Sequence, residues 1–487
     1  MRATLSVSLL LVTGVLGGPT SALAADEPTF NEQIAPILHR NCASCHRPGE
    51  VAPFSLLTYE DASKRARLIA AVTEARVMPP WSPEPGHGSF VNERRLSDDE
   101  IRLIAEWAAA GAPEGDPSRT PALPTFPDGW QAGEPDRIVE MPVDYAVPAD
   151  GPDQFRCFVL PLDATEDVYV SGFEFRPGNS RVVHHAIVYV DSARAARDRV
   201  ARSGEGSYRC VGGPGIAVTG AIGGWAPGAD PRREEPETAL LVPKGSDLVV
   251  QIHYHPSGKP EQDRSRLGLH YSGPPTKGRA GMILINRRIY IQPGDANHVV
   301  TASATVPQDA DLVGITPHAH YLATNMKVDA HLPDGTVTPL IWIKDWDFNW
   351  QGQYRYTEPV HLPKGTRVEM RYVYDNSVNN PQNPASPPKM VTWGEETNDE
   401  MAIAFLDLVL PSPGDVQAFR VATLLQVLEP FLADGGILDN LPPGIAGPEA
   451  ERLRQAFRFI DTNRDGKLDD KEREFLMELI KRFAPQQ

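Results

Sequence analysis

Three eight-residue stretches alternate apolar and polar side chains: Val168-Tyr-Val-Ser-Gly-Phe-Glu-Phe, Leu248-Val-Val-Gln-Ile-His-Tyr-His and Arg367-Val-Glu-Met-Arg-Tyr-Val-Tyr. A period of two puts alternate side chains on one face, as in a strand that is half buried. Turn-forming clusters separate these stretches. Proline, at 47 residues, is too frequent for a chain built mainly of helices or central strands. The middle of the chain, about residues 139–411, therefore reads as antiparallel and sandwich-like. A length of 487 residues suggests about three domains.

The N-terminus reads differently. Arg2, an apolar run from Leu5 to Leu16 and Ala22-Leu23-Ala24 form a secretory signal over residues 1–24, with a mature start at Ala25 and a periplasmic or secreted destination. No cysteine stands at the cleavage point, so a lipoprotein is not expected. An uncleaved anchor is disfavoured by the short run and by Gly14, Gly17 and Gly18. No later segment reaches about 18 unbroken apolar residues, so the mature protein should have no membrane span. The formal charge of −17 argues against nucleic acid or anionic lipid as a partner.

Cys42-Ala43-Ser44-Cys45-His46 is a c-type haem attachment pattern, in which two thiols take the vinyl groups and the next imidazole takes the iron. A thioredoxin-like site would need a βαβ pattern around it, and none is present. Thr29 and Glu32 have capping-box spacing ahead of Phe30, Ile34, Ile37 and Leu38; Ser97 and Glu100 repeat that spacing, with Leu96 and Ile101 as a hydrophobic staple. Residues 26–118 thus resemble small class I cytochromes c, an α-helical domain, followed by a linker over 119–138. Met78, in Val77-Met78-Pro79-Pro80-Trp81, is the candidate sixth haem ligand, with His87 as its competitor. The haem would need an external electron donor. The other two cysteines, Cys157 and Cys210, could pair after export, but sequence cannot bring their Cα atoms together.

Six of the 13 histidines stand in close pairs: His184-His185 in VVHHAIVYV, His253 and His255 in QIHYH, His318 and His320 in TPHAHYL. On a strand, residues two apart share a face, so His318 and His320 can chelate one ion. His184 and His185 can share an ion only at a bulge or strand end. Imidazoles alone would suit copper, zinc, nickel or iron. Met401, in Thr397-Asn398-Asp399-Glu400-Met401, adds a thioether, and two imidazoles with a thioether favour copper, Cu(I) above all. Any one of these histidines taken singly reads as a satisfied polar residue in a sheet.

Together and in this order they resemble the ascorbate-dependent type II copper monooxygenases, the family of peptidylglycine α-hydroxylating and dopamine β-monooxygenase. HHAIVYV, QIHYH, AGMILI, PHAHYL, YDNS and GEETNDEM follow the family's order over roughly 260 residues. The resemblance implies two eight-stranded antiparallel β-sandwich (jelly-roll) domains, 139–278 and 279–411, each with one copper, facing across a solvent cleft. It implies that His184, His185 and His253 hold an electron-transfer copper and that His318, His320 and Met401 hold the catalytic one. Gln251 matches the glutamine before the third histidine and could order water there; His255 has no counterpart. The activity implied is hydroxylation of a C–H bond of a small molecule with O2, with electrons here relayed from the haem.

Where peptide-amidating members carry an arginine, an asparagine and a tyrosine that grip a terminal carboxylate, this chain has Thr316, Ile403 and Phe405. The carboxylate clamp is missing, which points to an apolar or aromatic substrate. The family's cysteine after the methionine is also absent, with Ala402 in its place. Two other readings stay open: a copper oxidase or halogenase on the same scaffold, and a non-catalytic haem and copper relay or copper-binding protein.

In the tail, 412–487, Asp461, Asn463, Asp465, Lys467 (through its carbonyl), Asp469 and Glu472 occupy the ligand positions of an EF-hand calcium loop, with Gly466 at the turn. Leu453, Phe457 and Ile460 before it, and Phe475, Leu476, Leu479 and Ile480 after it, read as flanking helices. The fold expected is thus multidomain: a helical cytochrome c domain, two β-sandwich copper domains and an α-helical EF-hand tail, with two coppers, one haem c and calcium.

Overall fold

Strand-forming stretches pair into antiparallel ladders, and in Arg367–Tyr374 burial follows the alternation in the sequence, with Val368, Met370, Tyr372 and Tyr374 all buried, whereas Asp247–Tyr254 is buried on both faces. The computed structural model describes residues 27–433 apart from positions 51, 128, 228, 230 and 234, together with parts of 459–475. The signal segment, residues 1–24, lies outside the described residues, as do Asp465, Lys467 and most of the flanking residues expected to be helical in the tail. The chain divides into two compact units: Met1–Pro48, Phe54–Met78 and Leu96–Leu123 in one, Gly49–Pro53, Pro79–Arg95 and Pro124–Gln487 in the other.

The first unit has a π-helical turn, Phe30–Ile34, and helices Ala35–Asn41, Tyr59–Ser63, Ala66–Glu74 and Asp98–Ala109 around Phe30, Ile34, Leu38, Ile69, Ile104 and Trp107. Ser97 and Glu100 make both bonds of the capping box. Thr29 makes no side-chain cap; its backbone N–H donates instead to Gln33 Oε1 at 2.8 Å, one residue beyond the expected Glu32, where the first turn is widened to π geometry.

In the second unit, the first half sets a five-stranded sheet in the order Tyr208–Arg209, Gln154–Pro161, Asp247–Tyr254, Val183–Asp191 and Gly220–Trp225 against a second sheet. That partner has Arg137–Glu140, Arg266–Ser272 and Val168–Arg176 in order, with Arg232–Arg233 and Leu240–Val242 both paired to the last. Phe158, Leu160, Val188 and Ile252 meet Val170, Phe173, Phe175 and Leu267 between them; each such side chain, fully buried, stabilises by about 1.5–3 kcal/mol. The second half pairs Gly278–Ile285, Ile403–Leu410, Ala310–His318 and Tyr354–Leu362 in one sheet, and His298–Thr305, Arg367–Tyr374, Ala323–His331 and Val337–Ile343 in the other. Cys157 and Cys210 are disulfide-bonded, with Cα atoms 5.8 Å apart.

The expected fold class needs correction. Among the described residues the chain is mainly strand, with 22 strands and six α-helices, of which only Asp98–Ala109 and Val416–Ala433 exceed nine residues. No large α-helical cytochrome c domain is formed: prolines at 48, 53, 79, 80, 83 and 85 interrupt the region, and helices cannot run through them. Nor are the β halves two simple eight-stranded jelly rolls; one is five strands on five, the other four on four, each with an extra two-stranded ladder. An independent helical EF-hand tail is not present in the described residues either. Val416–Ala433 buries Phe419 in the second half's core and so belongs to the β body. No described helix is long and apolar enough to cross a membrane.

Candidate metal centres

His184 and His185 are neighbours on Val183–Asp191, where an ideal strand would send them to opposite faces. The ladder with Asp247–Tyr254 resolves this. His253 pairs with His185 and Tyr254 with Val183, so His184 is the extra residue of a bulge. The bulge turns its ring toward the other two. His184 Nδ1 lies 3.2 Å from His185 Nδ1, which lies 3.4 Å from His253 Nδ1. Metal–nitrogen bonds of about 2 Å at tetrahedral angles put ligand nitrogens about 3.3 Å apart. The three rings fit an ion.

Asp153 fixes the third ring. Its Oδ2 accepts from His253 Nε2 at 2.8 Å, which leaves Nδ1 with a lone pair toward the cluster. Its Oδ1 accepts from His255 Nδ1 at 2.8 Å, and Oδ2 also accepts from Thr397 Oγ1 at 2.5 Å. Burial works against the Asp153 carboxylate, yet the bonds from His253, Thr397 and His255 outweigh it and hold its pKa well below the usual range. Burial lowers His184 to about 4 and His185 well below its ordinary value, so both are neutral ligands at physiological pH. Gln251 is committed elsewhere: its Nε2 donates to Cys210 O at 2.5 Å and its Oε1 lies 3.4 Å from Tyr189 OH.

His318 and His320 stand at the end of Ala310–His318, with ring centroids 5.4 Å apart at 85°. Each has its Nδ1 occupied, by Gln351 Oε1 at 2.8 Å and by Asp399 O at 3.0 Å respectively. Both Nε2 lone pairs remain for a metal. Burial lowers His318 to about 4 and His320 to about 3. The Met401 backbone lies alongside. Ile403 pairs across the ladder with His318, and Tyr374 OH donates to Met401 O at 2.7 Å. Glu400, fully buried, accepts from His320 N, Leu322 N and Met401 N at 2.9, 2.6 and 3.1 Å. Burial pushes its carboxyl up to about 8 against the pull of those donors. The oxygens of Glu400 tie the methionine segment to the histidine segment.

The sheet face that carries His318 also carries the expected substrate residues. Thr316 pairs with Phe405, and His318 with Ile403; on the next strand Phe405 pairs with Ile283 and Ile403 with Ile285. Ile283 and Phe405 are 44% and 40% exposed, whereas Ile403, the partner of His318, is buried, so the apolar row is open at its far end and covered beside His318.

In the first unit, His46 Nδ1 bonds Phe54 O at 3.1 Å, leaving Nε2 free for iron. Burial lowers the His46 pKa and raises Cys42 to about 12, with Cys45 adding to the latter. Neither Cys42 nor Cys45 is in a disulfide. Met78, Val77 and Leu68 are exposed apolar side chains of the kind a porphyrin would cover. Met78 N bonds Val72 O at the end of Ala66–Glu74. His87 belongs to the second unit, its ring 4.8 Å from Trp342. In the tail, Glu472 Oε1 accepts from Thr462 N at 2.7 Å and Oε2 from Asp469 N at 3.0 Å, so the described calcium-loop residues already curl around that carboxylate.

Asp153, Phe348, Gln351, Asp399 and Glu400 were not legible as site residues. Gln351, Asp399 and Asp153 reach their histidines across 33, 79 and 100 residues of chain, and Phe348 reaches His184 from the other β half; Glu400 has a usable signal in its place beside Met401.

No family model and no curated protein matches the chain. Solved structures give only slight likeness. The major capsid protein P2 of bacteriophage PM2 is 8% identical with a TM-score of 0.24, over 56% of this chain and 97% of that one. The infectious bursal disease virus VP2 subviral particle is 9% identical with a TM-score of 0.18, over 59% and 73%. PNGF-II is 10% identical with a TM-score of 0.17, over 56% and 60%. Superpositions this loose have no bearing on function.

Proposed function

We propose that this chain is an exported copper-dependent monooxygenase that hydroxylates a C–H bond of a small apolar or aromatic molecule with O2, drawing electrons through a covalently bound haem. One observation carries the reading: a three-imidazole cluster and a two-imidazole pair share one unit, and the outer nitrogens of His253, His318 and His320 are fixed by a carboxylate, an amide and a carbonyl. His184, His185 and His253 would hold the electron-transfer copper, and His318, His320 and Met401 the catalytic one. Copper bound there supplies one-electron redox chemistry and oxygen activation.

The protein's own groups set the stage for that chemistry. Asp153 keeps the proton of His253 on Nε2, while Gln351 and Asp399 keep those of His318 and His320 on Nδ1. The metal-facing nitrogens of His318 and His320 are therefore free without proton loss at neutral pH. Ile283 and Phe405 would seat a hydrocarbon surface, with Ile403 buried beneath it, and Thr316 offers no charge to a carboxylate. Cys42, Cys45, His46 and Met78 would hold the haem, and Asp461, Asn463, Asp465, Lys467, Asp469 and Glu472 a calcium ion.

The test is copper titration followed by turnover. Two coppers per chain are expected, falling to one in His318→Ala and in His253→Ala. Substrate-dependent oxygen uptake should place label from 18O2 in the hydroxylated product. Failure to bind copper, or product without label, overturns the proposal.

A further inference from the structure

Between Val337–Ile343 and Tyr354–Leu362 runs a connecting segment that touches both histidine clusters. Trp346 Nε1 donates to His320 O at 3.0 Å, and Gln351 Oε1 bonds His318 Nδ1 at 2.8 Å. Inside the segment, Asp347 Oδ1 accepts from Asn349 N at 2.9 Å, and Gln351 Nε2 donates to Phe348 O at 3.1 Å. The segment is thus pinned at both ends to the second cluster, and its middle is braced. Phe348 occupies that middle and is only 8% exposed. Its ring stacks on His184 of the first cluster, at 5.7 Å and 23°, and meets His320 of the second at 5.5 Å and 76°. Tyr321 closes its side at 4.4 Å.

A phenyl ring offers no metal ligand and no proton. Placed between imidazoles it can do two things: exclude water, and hold two ring systems at a set separation. Removing it would leave a space bordered by the imidazoles of His184 and His320 and the ring of Tyr321, with polar partners that water could use. We infer that Phe348 is a dry partition between the two histidine clusters, held in place by Trp346 and Gln351, so that His184 and His320 communicate through ring contact rather than through solvent. This rests on reading the clusters as two halves of one metal-dependent site, although its test needs no metal. Phe348 is a positioning residue, since it acts through the histidines it separates.

The experiment is site-resolved acylation of histidines by diethyl pyrocarbonate in metal-free protein, read by peptide mass spectrometry. His361, which is exposed, gives the reference rate, and His270, which is 2% exposed in the other β half, reports global unfolding. In Phe348→Ala, His184 and His320 should be modified several-fold faster than in the wild type, with His361 and His270 unchanged. Phe348→Leu, which still fills the space, should keep wild-type rates. Equal rates in Phe348→Ala and the wild type would overturn the partition. Should His270 rise as well, Phe348→Val is judged by the same criterion. Copper counts on the same proteins separate the two claims: absence of copper from the wild type sinks the monooxygenase reading alone, whereas unchanged acylation in a copper-competent variant sinks the partition alone.

Discussion

Asp153 joins three side chains that lie far apart in the sequence: His253, His255 and Thr397. With the carboxylate as acceptor, His253 has one tautomer, and its Nδ1 faces His184 and His185. An amide in that place could donate as well as accept, and the tautomer would no longer be fixed. Asp153→Asn is therefore expected to lower copper affinity at the first cluster by about 10–100-fold and leave the second within a few-fold. Competition with a chelator of known affinity measures both; equal losses would show that Asp153 acts on the fold at large. The buried imidazoles carry a second expectation. In the unfolded chain each takes a proton near 6.5, whereas in the fold burial holds His184 and His318 near 4 and His320 near 3. Between those values the unfolded state binds more protons, so stability falls as pH falls. Metal-free protein should keep its full melting temperature above about pH 7 and lose it progressively from pH 6.5 down to about 4. Calorimetry across that window checks this, and a flat profile would mean that these rings are hydrated in solution.

At the level of strands, periodicity was a sound guide where one face is buried and silent where direction is reset. Arg367–Tyr374 is legible because its alternation is unbroken, whereas Asp247–Tyr254 is buried on both faces and its alternation is only partial. The need for a bulge at His184 could be stated from two adjacent ligands, but its position depends on which residue of the partner strand is skipped, and that is a property of the pair. Capping at Ser97 was legible because both partners lie within one turn; at Thr29 the choice between Glu32 and Gln33 depended on the π turn. Cys157–Cys210 could not be assigned from the sequence, since its 53-residue separation says nothing of distance. The bridge now explains a neighbouring bond. Cys210 O takes the amide of Gln251, which is two residues from His253 on the same strand. A loop of that length closed by a disulfide is worth about 4 kcal/mol on the chain-entropy view. Reduction, or the double change Cys157→Ala with Cys210→Ala, should lower the unfolding free energy by about 2–4 kcal/mol in denaturant titration. A loss well below that would mean that the unfolded chain already holds these strands together.

The order of domains along the chain does not map onto the order of units in the molecule, because residues 79–95, read as part of the haem region, belong to the β unit. The reason is local and apolar. Phe90 is 5% exposed and packs against Trp81, Tyr354 and Tyr356, with ring centroids 6.3, 5.4 and 5.0 Å away. Backbone bonds follow the same course: Val91 N to Arg355 O, Thr357 N to Ser89 O and Glu84 N to Trp342 O. The segment therefore clasps Val337–Ile343 and Tyr354–Leu362, the two strands that bracket the loop bearing Phe348 and Gln351. Truncating Phe90 to alanine removes the ring from a closed aromatic cluster, and substitutions of this kind cost about 3–5 kcal/mol. The loss should be felt unevenly. Gln351 reaches His318 from the base of Tyr354–Leu362, whereas the first cluster is built on Val183–Asp191 and Asp247–Tyr254, in the other half of the unit. Phe90→Ala should thus weaken copper at the His318–His320 pair more than at His184, His185 and His253, by a margin that chelator competition at a temperature well below unfolding can resolve. If both sites weaken alike, the clasp supports the β unit as a whole, and the coupling from Phe90 to the second cluster is rejected.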